Sequence, residues 1–128
     1  MNINIKKLEI KSDDRGWLTE ILNAQEVYEE KFGQLIVTTA LSGKTKGKHY
    51  HKRKKEWFCV IKGNGLLSIK NRETGEVWEQ EIGENNMVIV EIPVGMWHAI
   101  ANTGSEEMFL LTYTNETFNP QDTDTYYE

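Results

Sequence analysis

The sequence lacks the marks of several protein classes. Its single cysteine, Cys59, permits no internal disulfide bond, so we expect a reducing compartment, the cytoplasm. No apolar run approaches the roughly 18 residues of a membrane-spanning helix, and the polar residues 1–10 do not read as a signal peptide. The 15 basic residues are outnumbered by 20 acidic ones, which argues against nucleic acid as a partner. What remains is a small domain that acts on a small molecule or on another protein.

The pattern of the chain predicts one β-rich domain over residues 1–128. Its length is sufficient to enclose a core, and short apolar stretches rich in β-branched residues alternate with Gly, Asn and Asp turn signals. Many short strands of this kind are typical of a β-sandwich or barrel. An N-terminal strand is expected near Ile3, Ile5 and Ile10. The other main strands are predicted at 34–41, 47–51, 56–62, 65–70, 77–82, 87–92, 97–101 and 108–114.

One short helix is expected near the N terminus, over residues 24–32. Asn23 and Glu26 have the spacing of a capping box, in which each side chain accepts a hydrogen bond from the other residue's backbone. Gly33 stands where such a helix would end.

The three histidines carry the main chemical signal. His49 and His51 are two residues apart, so on an extended strand their side chains point to the same face. Glu56 follows a basic turn, and a hairpin there would return its carboxylate toward the histidines. His98 lies on a later strand, after a tight-turn sequence. Three imidazoles and a carboxylate form a ligand set for a divalent first-row metal ion with open coordination positions.

The spacing of these residues matches the two motifs of the cupin superfamily. The motifs read Gly43-x5-His49-x-His51-x4-Glu56-x6-Gly63 and Pro93-x-Gly95-x2-His98-x3-Asn102. Met87 stands where the second motif has its leading glycine, a departure that we expect to alter only a turn or a strand start. The chain resembles the cupins, and this resemblance implies an all-β cupin jelly-roll barrel.

Further segments resemble one branch of that superfamily, the nucleotide-sugar epimerases and ketoisomerases of polysaccharide synthesis. These segments are Asp13-Asp14-Arg15-Gly16-x3-Glu20, Phe32-Gly33-Gln34, Lys46-Gly47-Lys48-His49 and the stretch 115–126. The resemblance is greatest to the C-terminal cupin domain of bifunctional capsular-polysaccharide enzymes, which epimerises a UDP-4-keto-6-deoxy-hexosamine at C3 and carries zinc. It is weaker to dTDP-4-dehydrorhamnose 3,5-epimerase. Since no reductase half is present in this sequence, we expect the chain to work alone or with a separate partner.

The resemblance implies an isomerase acting on a nucleoside-diphosphate 4-keto-6-deoxy sugar in surface-polysaccharide biosynthesis. Removing a proton beside a ketone requires a nearby base and a positive or hydrogen-bonding group at the developing enolate oxygen. A divalent ion would polarise the C4 carbonyl; we expect zinc, with iron, nickel and manganese as alternatives. Epimerisation at C3 or C5 and 3,4-ketoisomerisation begin with the same proton, so both remain open. A non-catalytic sugar-nucleotide-binding cupin and an iron-dependent oxygenase are the competing classes.

Two residues are candidates for proton transfer. In the rhamnose-pathway epimerases, whose metal set is incomplete, the histidine that matches His49 is the catalytic base. The roles of base and metal ligand compete, because a ligated imidazole has no free lone pair. Tyr113 roughly matches the tyrosine that returns the proton in those enzymes; the alternative is that it belongs to the core or its rim.

A basic cluster suggests where a diphosphate would bind. Seven of the 15 basic residues fall in 44–55, and such a cluster beside a metal site would attract a diphosphate. We interpret 52–55 as a solvated turn, whereas Lys46 matches a phosphate-contacting position of the family. By the same resemblance Arg15 would also bind the phosphates, from a neighbouring subunit of a homodimer after strand exchange.

Overall fold

A computed structural model describes residues 1–128, and every regular element in it is a strand. The strands are β1 (Ile5–Lys7), β2 (Ile10–Asp13), β3 (Gly16–Thr19), β4 (Gln34–Ala40), β5 (Thr45–Tyr50), β6 (Glu56–Lys62), β7 (Asn64–Lys70), β8 (Val77–Gly83), β9 (Val88–Ile92), β10 (Trp97–Asn102), β11 (Met108–Thr114) and β12 (Tyr126–Tyr127). The structure contains no helix that is long and apolar enough to cross a lipid bilayer.

The strand predictions are confirmed over most of the chain. The eight strands predicted between residues 34 and 114 are all present, and their ends differ from the prediction by at most two residues. The expected N-terminal strand is divided into β1 and β2, which belong to different sheets. Met87, the residue at the departure from the second motif, lies immediately before β9.

Two five-stranded antiparallel sheets enclose the main core. The first sheet has the order β1-β9-β6-β11-β4 and the second β12-β5-β10-β7-β8, while β2 and β3 form a separate hairpin. The apolar side chains on the inner faces make one buried cluster: Ala40, Phe58, Val60, Leu67, Ile69, Ile82, Val88, Val90, Ile92, Ile100, Met108 and Leu110. No strand pairing joins the two sheets at their edges, so the arrangement is an open sandwich rather than the closed barrel that was expected.

A second apolar layer covers the outer face of the first sheet. Because side chains alternate along a strand, Trp57 and Cys59 point away from the main core. They pack with Leu8, Met87 and Ile89 into a smaller buried cluster. Cys59 is fully buried, as expected of a small apolar residue, and burial raises the pKa of its thiol to about 11. The segment 19–32 lies over this face and leaves an apolar cavity of about 570 Å³.

The predicted helix over residues 24–32 is wrong. The capping box itself forms: the Asn23 side chain accepts the backbone N–H of Glu26 at 3.1 Å, and Glu26 accepts the N–H of Asn23 at 3.0 Å. The residues after it make consecutive turns instead of an i→i+4 ladder, with Glu30 N–H donating to the Val27 carbonyl. A two-turn helix has little cooperative stability of its own, and here Lys6 and Lys55 hold Glu26 and Glu30 in the turns.

A β-bulge in β5 sets the positions of the predicted site residues. His49 pairs with His98 and Lys46 with Ile100, and the register shifts by one residue between these pairs. Gly47 and Lys48 form the bulge with φ values of 93° and 61°. Because of the extra residue, Lys46 and His49 lie on the same inner face although they are three residues apart. A Cβ at Gly47 would lie 2.9 Å from the His98 carbonyl oxygen.

We expect Gly47→Ala to destabilise the protein more than Gly75→Ala. Both glycines have positive φ, so each alanine adds backbone strain of about 1 kcal/mol. Gly75 has open space around it, whereas the alanine at position 47 also strikes the backbone of β10, for a total near 3 kcal/mol. Chemical denaturation measures both free energies of unfolding. Equal losses in the two variants would contradict the close approach of β5 and β10.

Candidate metal centre and active site

Four side chains from three strands and one turn meet between the two sheets. They are His49 on β5, His51 directly after it, Glu56 at the start of β6 and His98 on β10. One nitrogen or oxygen from each lies within 4.8 Å of the others. His51, Glu56 and His98 are buried, and His49 is half-buried. The structure therefore brings together all four residues of the predicted ligand set.

The Glu56 carboxylate is the centre of this cluster. Its Oε1 accepts a hydrogen bond from His51 Nε2 at 2.9 Å and lies 3.1 Å from His98 Nε2. Burial alone would raise the pKa of Glu56, but these two imidazoles lower it strongly, so the carboxylate is charged at neutral pH. Burial alone would lower the pKa of His51, but the hydrogen bond to Glu56, the negative charge of that carboxylate and the hydrogen bond to the Asp124 carbonyl together raise it.

His49 has a neutral imidazole at pH 7. Burial lowers its pKa to about 4, and the neighbouring His98 and His51 act in the same direction. Its ring lies 4.8 Å from that of His51 and 4.9 Å from that of His98, measured between centroids. The neutral ring retains a lone pair at pH 7, so His49 can accept either a metal ion or a proton.

The donor set fits a divalent cation. His51 Nδ1 donates to the Asp124 carbonyl at 2.7 Å, and His98 Nδ1 lies 3.1 Å from the Met96 carbonyl. These contacts hold the Nδ1 side of each ring, so that both Nε2 atoms can bind a metal, the usual arrangement of ligating histidines; His51 Nε2 would first release the proton that it donates to Glu56. His49 Nδ1 and His98 Nε2 are buried without a hydrogen-bond partner. Buried polar atoms normally have partners, and a cation would satisfy both.

The basic residues of 44–55 divide into three groups. In the turn, Lys55 pairs with Glu30 at 2.7 Å and Arg53 with Glu116 at 2.9 Å, so these charges serve the fold. Lys52 and Lys54 of the same turn make no ion pair: Lys52 lies over the Tyr126 ring, and Lys54 donates to the Thr123 carbonyl and is buried, unlike the solvated turn that was expected. Lys44, Lys46 and Lys48 on or beside β5 are exposed and make no ion pair. Of these three, Lys46 shares the inner face with the histidines by strand register.

Two predicted residues lie elsewhere in this chain. Tyr113 is on the outer face of β11, where it lines the 570 Å³ cavity and stacks on Trp57. Its hydroxyl donates to the Lys31 carbonyl at 2.8 Å. Arg15 is at the exposed tip of the β2–β3 hairpin, where its guanidinium pairs with Asp13 at 2.6 Å. Neither residue reaches the histidine cluster within one chain.

The C-terminal segment supplies residues that motif analysis missed. β12 pairs with the edge of β5, and Tyr127 lies opposite His49. The two rings meet edge to face with centroids 5.4 Å apart, and Tyr127 remains 75% exposed. The backbone carbonyl of Asp124 accepts the hydrogen bond from His51 Nδ1. The stretch 115–126 contributes to the family resemblance, but no spacing in the sequence links Asp124 or Tyr127 to the histidines.

Known proteins resemble this chain over nearly its whole length. It is 36% identical over 115 residues to UDP-2-acetamido-2,6-beta-L-arabino-hexul-4-ose reductase of Pseudomonas aeruginosa, covering 90% of this chain and 30% of that protein. The capsular polysaccharide assembling protein CapF of Staphylococcus aureus is 34% identical over 94% of this chain and 34% of its own, with a TM-score of 0.73. The chain thus spans about a third of each of these two proteins.

A third similarity concerns the fold alone. The dTDP-6-deoxy-D-glucose-3,5-epimerase RmlC of Legionella pneumophila, solved with dTDP-4-keto-L-rhamnose, has a TM-score of 0.81 and 18% identity. That match covers 93% of this chain and 69% of the epimerase. The expected resemblance to capsular enzymes and to rhamnose-pathway epimerases is therefore confirmed.

The family model agrees with these similarities. The model described as "Polysaccharide biosynthesis C-terminal domain" matches residues 11–126, which include the hairpin, both motifs and most of the C-terminal segment. The chain belongs to the polysaccharide biosynthesis C-terminal domain family.

Proposed function

We propose that the chain is a metal-dependent sugar-nucleotide isomerase of surface-polysaccharide synthesis. Its substrate would be a nucleoside-diphosphate 4-keto-6-deoxy sugar, epimerised at C3, at C5 or at both. The observation that carries this proposal is the buried set of three imidazoles and one carboxylate with ligand atoms within 4.8 Å of one another. The family match and the relatives named as a sugar reductase and an epimerase support the substrate class.

His49, His51, Glu56 and His98 would hold the ion, with zinc as the expected metal. When bound, a divalent cation supplies Lewis acidity that stabilises negative charge on the ketone oxygen next to the labile C–H. The neutral imidazole of His49 has one lone pair, so it serves either as a ligand or as the base, and not as both at once. His51 and His98 keep their orientation through the carbonyls of Asp124 and Met96.

Tyr127 is the phenol that this chain places at the cluster. It faces His49 across the β5–β12 pair, whereas Tyr113 is separated from the histidines by the first sheet. We propose that the Tyr127 hydroxyl gives its proton to the carbon of the enediolate, on the face opposite to the one from which the base removed a proton. Exchange with water then restores both groups.

Lys46 is suited to bind the diphosphate. It is exposed, unpaired and on the inner face, three residues before His49. In the turn, Arg53 and Lys55 are paired with carboxylates within the chain, whereas Lys46 has no such partner and keeps its positive charge next to the site.

We expect proton exchange to depend on Glu56. In D₂O, zinc-loaded protein should incorporate deuterium at C3 or C5 of UDP- or dTDP-4-keto-6-deoxy sugars, followed by NMR. Glu56→Gln removes the carboxylate ligand at nearly constant size, so bound zinc and exchange should both fall, exchange by about 100-fold or more. Glu79→Gln, an exposed change on β8, is the matched control.

The same assay separates the alternatives. A ketone that moves from C4 to C3 would identify a ketoisomerase. Tight binding of the sugar nucleotide with no exchange at any carbon would identify a non-catalytic binding protein. A wild-type protein that binds no divalent metal after dialysis would overturn the metal-dependent proposal.

We expect Tyr127→Phe to uncouple proton removal from inversion. The variant keeps the ring against His49 but lacks the hydroxyl, so epimer formation should fall about 100-fold while zinc affinity is unchanged. The base should still remove the proton from the reacting carbon, so deuterium from D₂O should still enter that carbon without a change in its configuration. Tyr126→Phe is the control, because Tyr126 stacks on Tyr50 instead of His49. Wild-type epimer formation by Tyr127→Phe would remove Tyr127 from the mechanism.

We also propose that the chain forms a homodimer through the outer face of the first sheet. β4 is an edge strand with an open hydrogen-bonding side, and its outward side chains Leu35 and Val37 are 59% and 56% exposed. The β2–β3 hairpin pairs with neither large sheet and exposes Trp17 and Leu18. These two exposed apolar regions are suited to contact with a second copy, whose hairpin could carry Arg15 toward the site.

Val37→Glu should dissociate that dimer. Light scattering is expected to give about twice 14.9 kDa for the wild type and the single-chain mass for the variant, because an unpaired carboxylate is costly to bury. Val77→Glu changes an equally exposed valine on the second sheet and should leave the dimer intact. A monomeric wild-type protein would contradict the assembly.

A further inference from the structure

The turn between two of the ligands is stabilised by a residue far away in sequence. Residues 52–55 connect His51 to Glu56, so the shape of this turn sets the separation of an imidazole and the carboxylate. Three successive backbone N–H groups in the turn, those of Lys52, Arg53 and Lys54, have no strand partner. Left without acceptors near a buried cluster, they would each cost free energy.

Asp124 accepts all three of these N–H groups. Its Oδ1 lies 2.9 Å from the nitrogen of Lys52, and its Oδ2 lies 2.9 Å from that of Arg53 and 2.8 Å from that of Lys54. The residue is only 2% exposed. The N–H groups also lower the pKa of Asp124 against the effect of burial, so the acceptor is the carboxylate. The turn and the C-terminal segment are therefore held as one unit.

The main chain of the same residue contacts a ligand directly. The Asp124 carbonyl accepts His51 Nδ1–H at 2.7 Å, and the residue has a left-handed φ of 48°. Thus the side chain fixes the turn, and the carbonyl fixes the ring at the end of that turn. His98 differs, because its acceptor, Met96, belongs to the same local stretch of chain.

We propose that Asp124 is a positioning residue for the metal centre. It would set the orientation of His51 and its distance from Glu56 without touching the ion or the substrate. This inference rests on the proposed metal site. Partners that orient ligating histidines typically change metal affinity by about 10–100-fold when they are removed.

The experiment compares three variants in chelator-treated protein. Asp124→Gly removes the carboxylate while tolerating the left-handed backbone, and Asp124→Asn keeps one acceptor oxygen and the same size. Asp122→Asn is the matched control: it makes the same charge change in the same segment, but its side chain pairs only with Arg53, at 3.3 Å. Zinc affinity is measured by competition with a chromophoric chelator, Co²⁺ absorption reports ligand geometry, and circular dichroism gives the thermal transition.

We expect Asp122→Asn to bind zinc as tightly as the wild type. Asp124→Asn should bind it more weakly, and Asp124→Gly should bind it most weakly, with an affinity about 10–100-fold below that of the wild type. The Co²⁺ bands of both Asp124 variants should shift, at a temperature where each metal-free protein is folded. Folded variants with wild-type affinity and bands would overturn the positioning role. If Asp124→Gly does not fold, the zinc affinity and Co²⁺ bands of Asp124→Asn test the positioning role instead. Absence of zinc binding by the wild type would instead overturn the metal site itself.

Discussion

The buried charge of Glu56 is the constraint on which this structure depends. An isolated carboxylate between two apolar sheets would be strongly unfavourable, and it is tolerated because His51 and His98 lie against it. Those contacts require β5, β6 and β10 to keep their register. The bulge at Gly47 is part of the same requirement, since it turns His49 toward the cluster after Lys46 has already faced inward.

The polar cluster occupies one end of an otherwise apolar interior. Phe58 lies edge-on to His98 with ring centroids 5.7 Å apart, and the aliphatic core continues from there between the sheets. His49 remains half-buried beside the exposed ring of Tyr127, so solvent reaches the cluster on that side. The apolar core behind the site lowers the local dielectric, which strengthens the electrostatic stabilisation of a developing charge.

Much of this arrangement could be predicted from the sequence. Period-two alternation located the strands, and the spacing of two motifs identified the four clustered side chains. The orientation of Tyr113 could not be predicted, because both faces of β11 are apolar: Met108 and Leu110 face the core, while Leu111 belongs to the outer layer. Asp124 lies in the stretch 115–126 that carries the family resemblance, but its contacts could not be predicted, because they join positions about 70 residues apart. The prediction of a short helix was wrong because the ion pairs of Glu26 and Glu30 with distant lysines stabilise turns in this segment instead.

Strand β6 contributes to two separate surfaces. Glu56, Phe58 and Val60 point inward, while Trp57 and Cys59 belong to the outer layer. A substitution at one of these positions therefore alters one surface and leaves the other nearly untouched. Sequence change along this strand can thus alter the buried polar cluster and the outer apolar layer independently. Descendants of one ancestral domain could change the residues around the buried cluster while retaining the packing of the outer layer.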